Sequence, residues 1–429
     1  ASTHLVSAYP LKILFAFENP LPSAEADAEV FVTTARYLAP AFKQTWFHVP
    51  ISGGADHSAL ATLTGMPVVR AITAARPAAL RHLLCGLTLV FRAQFRDADL
   101  VYTRNLWIAW IAVKSGRRVV FDHYRPWPDQ IPPLQFWIYR LMCHRRFLLN
   151  ICHSEYTRQK YLALGIPESK LVCIHNGFEP QRFEAPVSLE TAKRTIGVPP
   201  SAKTVVYTGR INHKKGLSLI LEAAKRLPDI LFILVGSHGD GPIETMARDI
   251  SNVRIVPWQP ADAIARYVFA ADILLIPPSS QPLMEFGSTV LPLKLFSYMA
   301  SGRPILAGDT PDVREVLKHK ENAFLCRADD LESLITGIRA LTADPILAER
   351  LAARAFAQSR NFTWDMRAKT ITGAVESRVQ CMSAQDGTWG RPQFRAWMHQ
   401  SRRWLMHLIR RRSWVLPPTP PSTAGEWRA

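Results

Sequence analysis

Val205-Val-Tyr-Thr-Gly-Arg-Ile-Asn-His-Lys-Lys-Gly216 sets an apolar strand, a glycine turn, two cations and a second glycine directly before a stretch with helical spacing. A buried strand that hands over to a helix through a glycine is the repeating element of a parallel α/β sheet. Gly209 lets the backbone approach a ligand, Arg210 forks onto phosphate oxygens and Lys215 adds a compact charge, so the segment suits a diphosphate. The same residues also describe a solvated basic turn, and the pattern alone does not separate the two readings.

The strand and helix alternation extends outward from this segment. Downstream come Leu217 to Leu227 with helical spacing, then apolar runs at Ile230 to Val235, Val253 to Val256 and Ile273 to Ile276. Upstream, Lys12-Ile-Leu-Phe-Ala-Phe17 ends in Glu18-Asn-Pro20, as a buried strand does on reaching its loop. Leu100 to Thr103, Val119 to Phe121 and Leu171 to Ile174 repeat the pattern, with helix-length stretches such as Ala28 to Leu38 and Leu106 to Lys114 between. Residues 179–202, rich in proline and polar side chains, read as the connection between two α/β halves. A crevice between two such halves is a common ligand site.

Composition narrows the function classes. The 429 residues are 48% hydrophobic and 20% charged, which excludes a disordered chain. A net charge of +17 calls for an anionic partner: a phosphorylated small molecule, an acidic lipid headgroup or nucleic acid. Six scattered cysteines without a CxxC pair indicate neither a zinc site nor a disulfide framework, and predict a reducing, cytoplasmic setting. No apolar run approaches the roughly 18 residues of a membrane-spanning helix, and Ala1 to Pro10 does not read as a secretory leader.

The segment 387–429 differs from the rest. It holds eight arginines against the single Glu426, a net +7. Phe394, Trp397, Met398, Trp404, Leu405, Leu408 and Ile409 recur at helical spacing, with Arg395, Arg402, Arg403 and Arg410 beside or opposite them. This predicts a basic amphipathic tail that lays residues 394–412 on an anionic membrane surface; the alternative is a helix packed on its own body or on a partner. A basic and aromatic stretch from Phe136 to Phe147 adds to that surface or belongs to the core. No helix-turn-helix, zinc-finger or RRM signature supports a nucleic-acid partner.

With these residues in view, the chain resembles the GT-B glycosyltransferases of family 4, the glycosyl transferases group 1. The family's G-R-x-x-x-x-K-G segment matches Gly209-Arg210 and Lys215-Gly216. In family order follow Leu234-Val235-Gly236, Ala271 to Pro277, Pro292-Leu-Lys-Leu-Phe-Ser-Tyr-Met-Ala-Ser-Gly-Arg-Pro304, Asp309 and Glu315. In the first half Ser154, Leu164 to Pro167 and Val172-Cys-Ile-His-Asn-Gly177 are similar, and Phe362-Thr-Trp-Asp365 with Ala368 looks like the closing helix. The resemblance covers roughly residues 11 to 380.

The resemblance implies two Rossmann-like domains facing a cleft: residues 11–185, completed by a returning helix near 363–380, on the acceptor side, and residues 200–362 holding the donor. It implies retaining transfer of a sugar from a nucleotide diphosphate sugar, and the basic tail points to a membrane-associated acceptor, a lipid-linked or saccharide one. His123, just after a strand, is expected to approach the donor sugar, with Arg210 and Lys215 stabilising the leaving diphosphate. Gly209, Gly236, Thr289, Leu293, Lys294 and Ser297 are expected to contribute to the nucleotide-sugar site, and Asn176 to stand on the acceptor side. No clustered acidic and histidine ligand set is evident, so no metal ion and no further cofactor are expected. Two departures stand out. The family's paired glutamates are replaced by Thr289 and Ser297, and the first-strand loop, Pro20 to Glu25, lacks the usual glycine pair. These losses leave open a second class, a non-catalytic relative that binds a nucleotide-sugar or a partner enzyme.

Overall fold

The structure, a computed structural model, describes residues 9–23, 25–51, 56–72, 78–123, 125–184, 186–212, 215–281 and 291–382. Thr289 and the tail 387–429 therefore lie outside the described residues. The chain divides into two compact units. One runs to Asn176 and is completed by the segment that begins at Trp364; the other runs from Gly177 to Thr363.

The first unit is built on a parallel sheet of β1 (Tyr9–Ala16), β2 (Phe42–Val49), β3 (Val68–Arg70), β4 (Leu100–Thr103), β5 (Arg118–His123), β6 (Phe147–Cys152) and β7 (Leu171–Cys173), in the order β3-β2-β1-β4-β5-β6-β7. Residues of β1 alternate between two cores. Ile13 and Phe15 face one, Leu14 and Ala16 the other. Both faces of the sheet are covered, which is why Ile13 to Phe17 reads as an unbroken apolar run. The helix Trp364–Met382 sends Ala368, Ile371 and Val375 into the first of these cores, against the helix Ala26–Leu38.

The second unit repeats the plan with β8 (Lys203–Thr208), β9 (Ile230–Ser237), β10 (Val253–Pro257), β11 (Ile273–Ile276), β12 (Ile305–Gly308) and β13 (Phe324–Cys326), ordered β10-β9-β8-β11-β12-β13. In each sheet the order reverses once, between β1 and β4 and between β8 and β11. Loops diverge at such a point and open a crevice at the carboxyl ends of the strands.

Residues 179–202 are not a bare connection. They carry the helix Leu189–Thr195, which belongs to the second unit. Lys193, almost fully buried, places Nζ 2.7 Å from an Asp272 carboxylate oxygen and donates to the Ala202 carbonyl at 2.7 Å. Asp272 also accepts from the Thr204 hydroxyl and backbone N–H at 2.9 and 2.8 Å. Proline and polar content concealed this anchor, since a buried lysine is visible only once its carboxylate is placed.

Removing one partner of a buried pair strands the other charge. Asp272→Ala should lower the stability of the second unit by about 3–5 kcal/mol; urea unfolding followed by far-UV circular dichroism measures it, and a loss below about 1 kcal/mol, the range of exposed pairs, would contradict the anchoring role.

Candidate active site

The turn after β8 sits at the switch point of the second sheet. Gly209 has φ +134° and donates its N–H to the Val235 carbonyl at 2.8 Å. A side chain there has no room: a Cβ would lie 2.6 Å from Lys294 Nζ and 3.2 Å from the Tyr207 hydroxyl. Gly236, at φ +123°, is equally constrained, because a Cβ would collide with the Gly209 carbonyl oxygen. The two glycines let the ends of β8 and β9 and the Lys294 side chain close on one spot.

Three cations converge here. Lys294, half-buried on the helix Leu293–Ala300, holds Nζ 3.7 Å from the centroid of the Tyr207 ring. Desolvation and the neighbouring Lys215 hold its pKa well below the usual lysine value. Lys215 is lowered in turn by desolvation and by Arg210. Neither lysine has a carboxylate partner among the described residues. Tyr207 donates its hydroxyl to the Arg210 carbonyl at 3.0 Å, and Thr208 N–H donates to the Tyr298 hydroxyl at 2.8 Å. Burial pushes the Tyr298 phenol up to about 12, so it stays a neutral hydrogen-bonding group. Leu293 and Ser297 are half-buried on the same helix. The structure thus joins Gly209, Arg210, Lys215, Gly236 and Lys294, and adds Tyr207 and Tyr298, which the sequence reading missed.

In the first unit His123 ends β5 and is almost fully buried. Its Nδ1 accepts the Arg125 N–H at 2.9 Å, which assigns the proton of the neutral ring to Nε2. Burial first, then the charges of Arg104 and His153, holds the imidazole well below its ordinary pKa. Trp127 packs against the ring, with centroids 4.7 Å apart. The preceding residue, Asp122, is bound by Arg367 at 2.8 Å, by His153 at 2.5 Å and by the Tyr102 hydroxyl. Burial raises its pKa, but Arg367 and His153 outweigh that and keep the carboxylate ionised.

A second group stands at the first sheet's switch point. Glu18 follows β1 and Arg104 follows β4; both are buried, with Arg104 Nε 4.0 Å from a Glu18 oxygen. Burial raises the Glu18 pKa, only partly offset by Arg104, and Oε2 of Glu18 has no hydrogen-bond partner among the described residues. Arg81 reaches the Asn19 side-chain oxygen at 3.1 Å. Asn176 is buried, and its Oδ1 also lacks a donor among the described residues. Sequence periodicity gave no sign of the Glu18 and Arg104 pair, since 86 residues separate them in the chain; the only signal was that each directly follows an apolar strand.

Two family models match the chain, one described as Glycosyl transferases group 1 over residues 189–358 and one as Glycosyltransferase Family 4 over residues 28–182. The amylovoran biosynthesis glycosyltransferase AmsK of Erwinia amylovora is 26% identical over 252 residues, 56% of this chain and 56% of that protein. The phosphatidyl-myo-inositol mannosyltransferase of Mycobacterium tuberculosis is 28% identical over 246 residues, 54% of this chain and 61% of that protein. The chain therefore spans less than two thirds of the length of these curated relatives. Among solved structures, Anabaena HepE in complex with UDP has a TM-score of 0.71 at 18% identity, covering 86% of this chain and 100% of that one, a likeness of fold.

The crowded cations make anion binding pH-dependent with a defined sign. A bound diphosphate favours the ammonium form, so wherever the pH exceeds the lowered pKa of Lys294 binding must take up a proton, and affinity falls as pH rises. Calorimetry with a nucleoside diphosphate, whose terminal phosphate is already ionised above its second pKa of about 6, should show this decline on the alkaline side of neutrality. Lys294→Met should weaken binding at neutral pH by about 10- to 100-fold and flatten the decline; an unchanged slope would remove Lys294 from the anion site.

Proposed function

Because the chain belongs to the group 1 glycosyltransferases, we propose that it moves a sugar from a nucleotide diphosphate donor to an acceptor, with retention at the anomeric carbon and without a metal ion. The observation that carries this reading is the convergence of Arg210, Lys215 and Lys294 around Gly209 and Gly236. In the transfer the bond between the anomeric carbon and the diphosphate oxygen breaks, and its electron pair stays on the diphosphate. The acceptor hydroxyl oxygen forms the new bond and its proton passes to the departing diphosphate. Fixed cations stabilise that leaving charge without reorganising, the service a metal ion would otherwise supply.

His123 enters this reaction as a hydrogen-bond donor. A neutral ring with its proton on Nε2 can hold a sugar hydroxyl beside the positively charged transition state, and it does not act as an independent base. The acceptor falls to the first unit, where Glu18, Arg104, Arg81 and Asn19 offer acceptors and donors at the switch point. A lipid-linked or saccharide acceptor at the cytosolic face of a membrane accords with the basic chain and with the names of the two curated relatives. Among the described residues no helix is long and apolar enough to cross a membrane.

A ligand that binds only the native state raises its stability. A thermal-shift screen against nucleotide sugars and free nucleoside diphosphates, without added metal, should give a selective shift that Arg210→Ala and Lys215→Ala abolish. Each substitution should lower transfer by about 10- to 1000-fold. No shift with any donor, in folded protein, would favour the non-catalytic reading. Because burial keeps His123 neutral, the pH profile of transfer should show no acid limb near its ordinary value of about 6.5; such a limb, lost in His123→Asn, would contradict the assigned role.

A further inference from the structure

Three helices of the first unit lie side by side: Ala78–Val90, Leu106–Lys114 and Gln135–Met142. Gly86 lets the first two close, since a Cβ there would lie 2.7 Å from Ile111 Cδ1. The second and third meet through Trp110 and Trp137, whose rings are edge to face at 5.6 Å. Their inner residues, among them Cys85, Leu89, Ile108, Val113, Ile138 and Met142, fill the core beneath.

Their outer residues are not those of a water-facing surface. Trp107 is 49% exposed, Trp137 51%, Leu87 44%, and Phe91, just past the first helix, 80%. None of the three helices holds an acidic residue, and the chain has none between Asp99 and Asp122 or between Asp129 and Glu155. The charges on the face are cationic and stand on its aromatics: Lys114 Nζ is 5.0 Å from the Trp110 ring centroid and the Arg140 guanidinium 5.6 Å from that of Phe136. Exposed apolar residues of this size on neighbouring helices mark an interaction surface.

Charge selects the occupant. A second copy of the same face would set cation against cation, and the tail, with seven arginines from Arg391 to Arg412 and no acid before Glu426, brings charge of the same sign. An anionic bilayer accepts both features, because tryptophans settle at the level of the headgroups while lysine and arginine stems carry their charge to the phosphates.

We propose that the three-helix face bearing Trp107, Trp137, Lys114 and Arg140 docks the protein on an anionic lipid bilayer, without need of the tail. It deepens the reading of a membrane-associated acceptor, and vesicle binding is measured apart from donor binding so that either can fail alone.

The test is co-sedimentation of the full chain with phosphatidylglycerol-containing vesicles and with pure phosphatidylcholine vesicles. Binding should favour the anionic vesicles and weaken with salt. Trp107→Ser combined with Trp137→Ser should weaken it by about 10-fold or more, and Lys114→Glu with Arg140→Glu by at least as much, with a smaller salt dependence. All these side chains are exposed or partly so, and an unchanged melting temperature identifies folded variants. Deleting residues 387–429 should leave binding that the tryptophan substitutions still abolish. The proposal is overturned by full-chain protein that ignores anionic vesicles, by tryptophan variants that sediment like the parent, or by binding that vanishes with the tail alone. A change of oligomeric state in the tryptophan variants, with vesicle binding intact, would assign the face to a second copy instead.

Discussion

The Asp122 carboxylate, in the interior at the carboxyl end of β5, remains ionised because Arg367, with His153 and the Tyr102 hydroxyl, is brought against it. An unpaired charge at that depth would cost several kcal/mol, about the range measured for broken buried pairs. Arg367 comes from 245 residues further along the chain and also donates to the Ile174 and His175 carbonyls at 2.6 and 3.0 Å. One guanidinium therefore ties the returning helix to β5 and to the end of β7. It explains why the first unit is incomplete without the segment that follows Thr363. His123 is the next residue in β5, so the backbone that carries its ring is held by the same contacts.

The second unit uses charge in the opposite sense. Around Asp122 every charge is answered, and the result is a fixed scaffold. Around Gly209, Lys215 and Lys294 feel like charge from their neighbours, and the Tyr207 ring face under Lys294 softens it. Crowding like charges costs stability and lowers the lysine pKa values, and a bound anion relieves both. The glycines make this possible sterically, since side chains at 209 or 236 would fill the space the ammonium and the turn occupy. A paired carboxylate and a crowded set of cations thus differ in kind: the first holds a scaffold in place, and the second would gain from a partner that brings negative charge.

How much of this was legible follows from the range of the interactions. Strands β1, β4, β8 and β11 are short apolar runs buried on both faces, and their composition alone marks them. β2, Phe-Lys-Gln-Thr-Trp-Phe-His-Val, mixes polar residues into its exposed end, and β6 lies next to the basic stretch that drew attention to its charge instead. Gly209, Arg210 and Lys215 were legible because a glycine turn and its cations are neighbours in sequence. Lys294 came from a resemblance, while its seat over Tyr207 required the fold. Glu18 with Arg104, and Asp122 with Arg367, depend on strand order and on the returning helix, which periodicity does not encode. The outward tryptophans were visible as residues, but only the packing of three helices shows that they share a face.

The serine at position 297 now has a physical consequence. A carboxylate there would stand three residues from Lys294 on the same helix, within reach of an ion pair. It would draw the ammonium away from the Tyr207 ring and cancel part of the field at the switch point. Serine is too short and carries no charge, so Lys294 remains committed to the crowded cluster. At that position serine offers a hydroxyl a shorter, uncharged contact and leaves the positive charge of Lys294 uncancelled. In a transferase of the proposed kind, binding energy is then concentrated on the group where charge develops as the bond breaks, and less of it on the parts of the donor that distinguish one sugar or base from another.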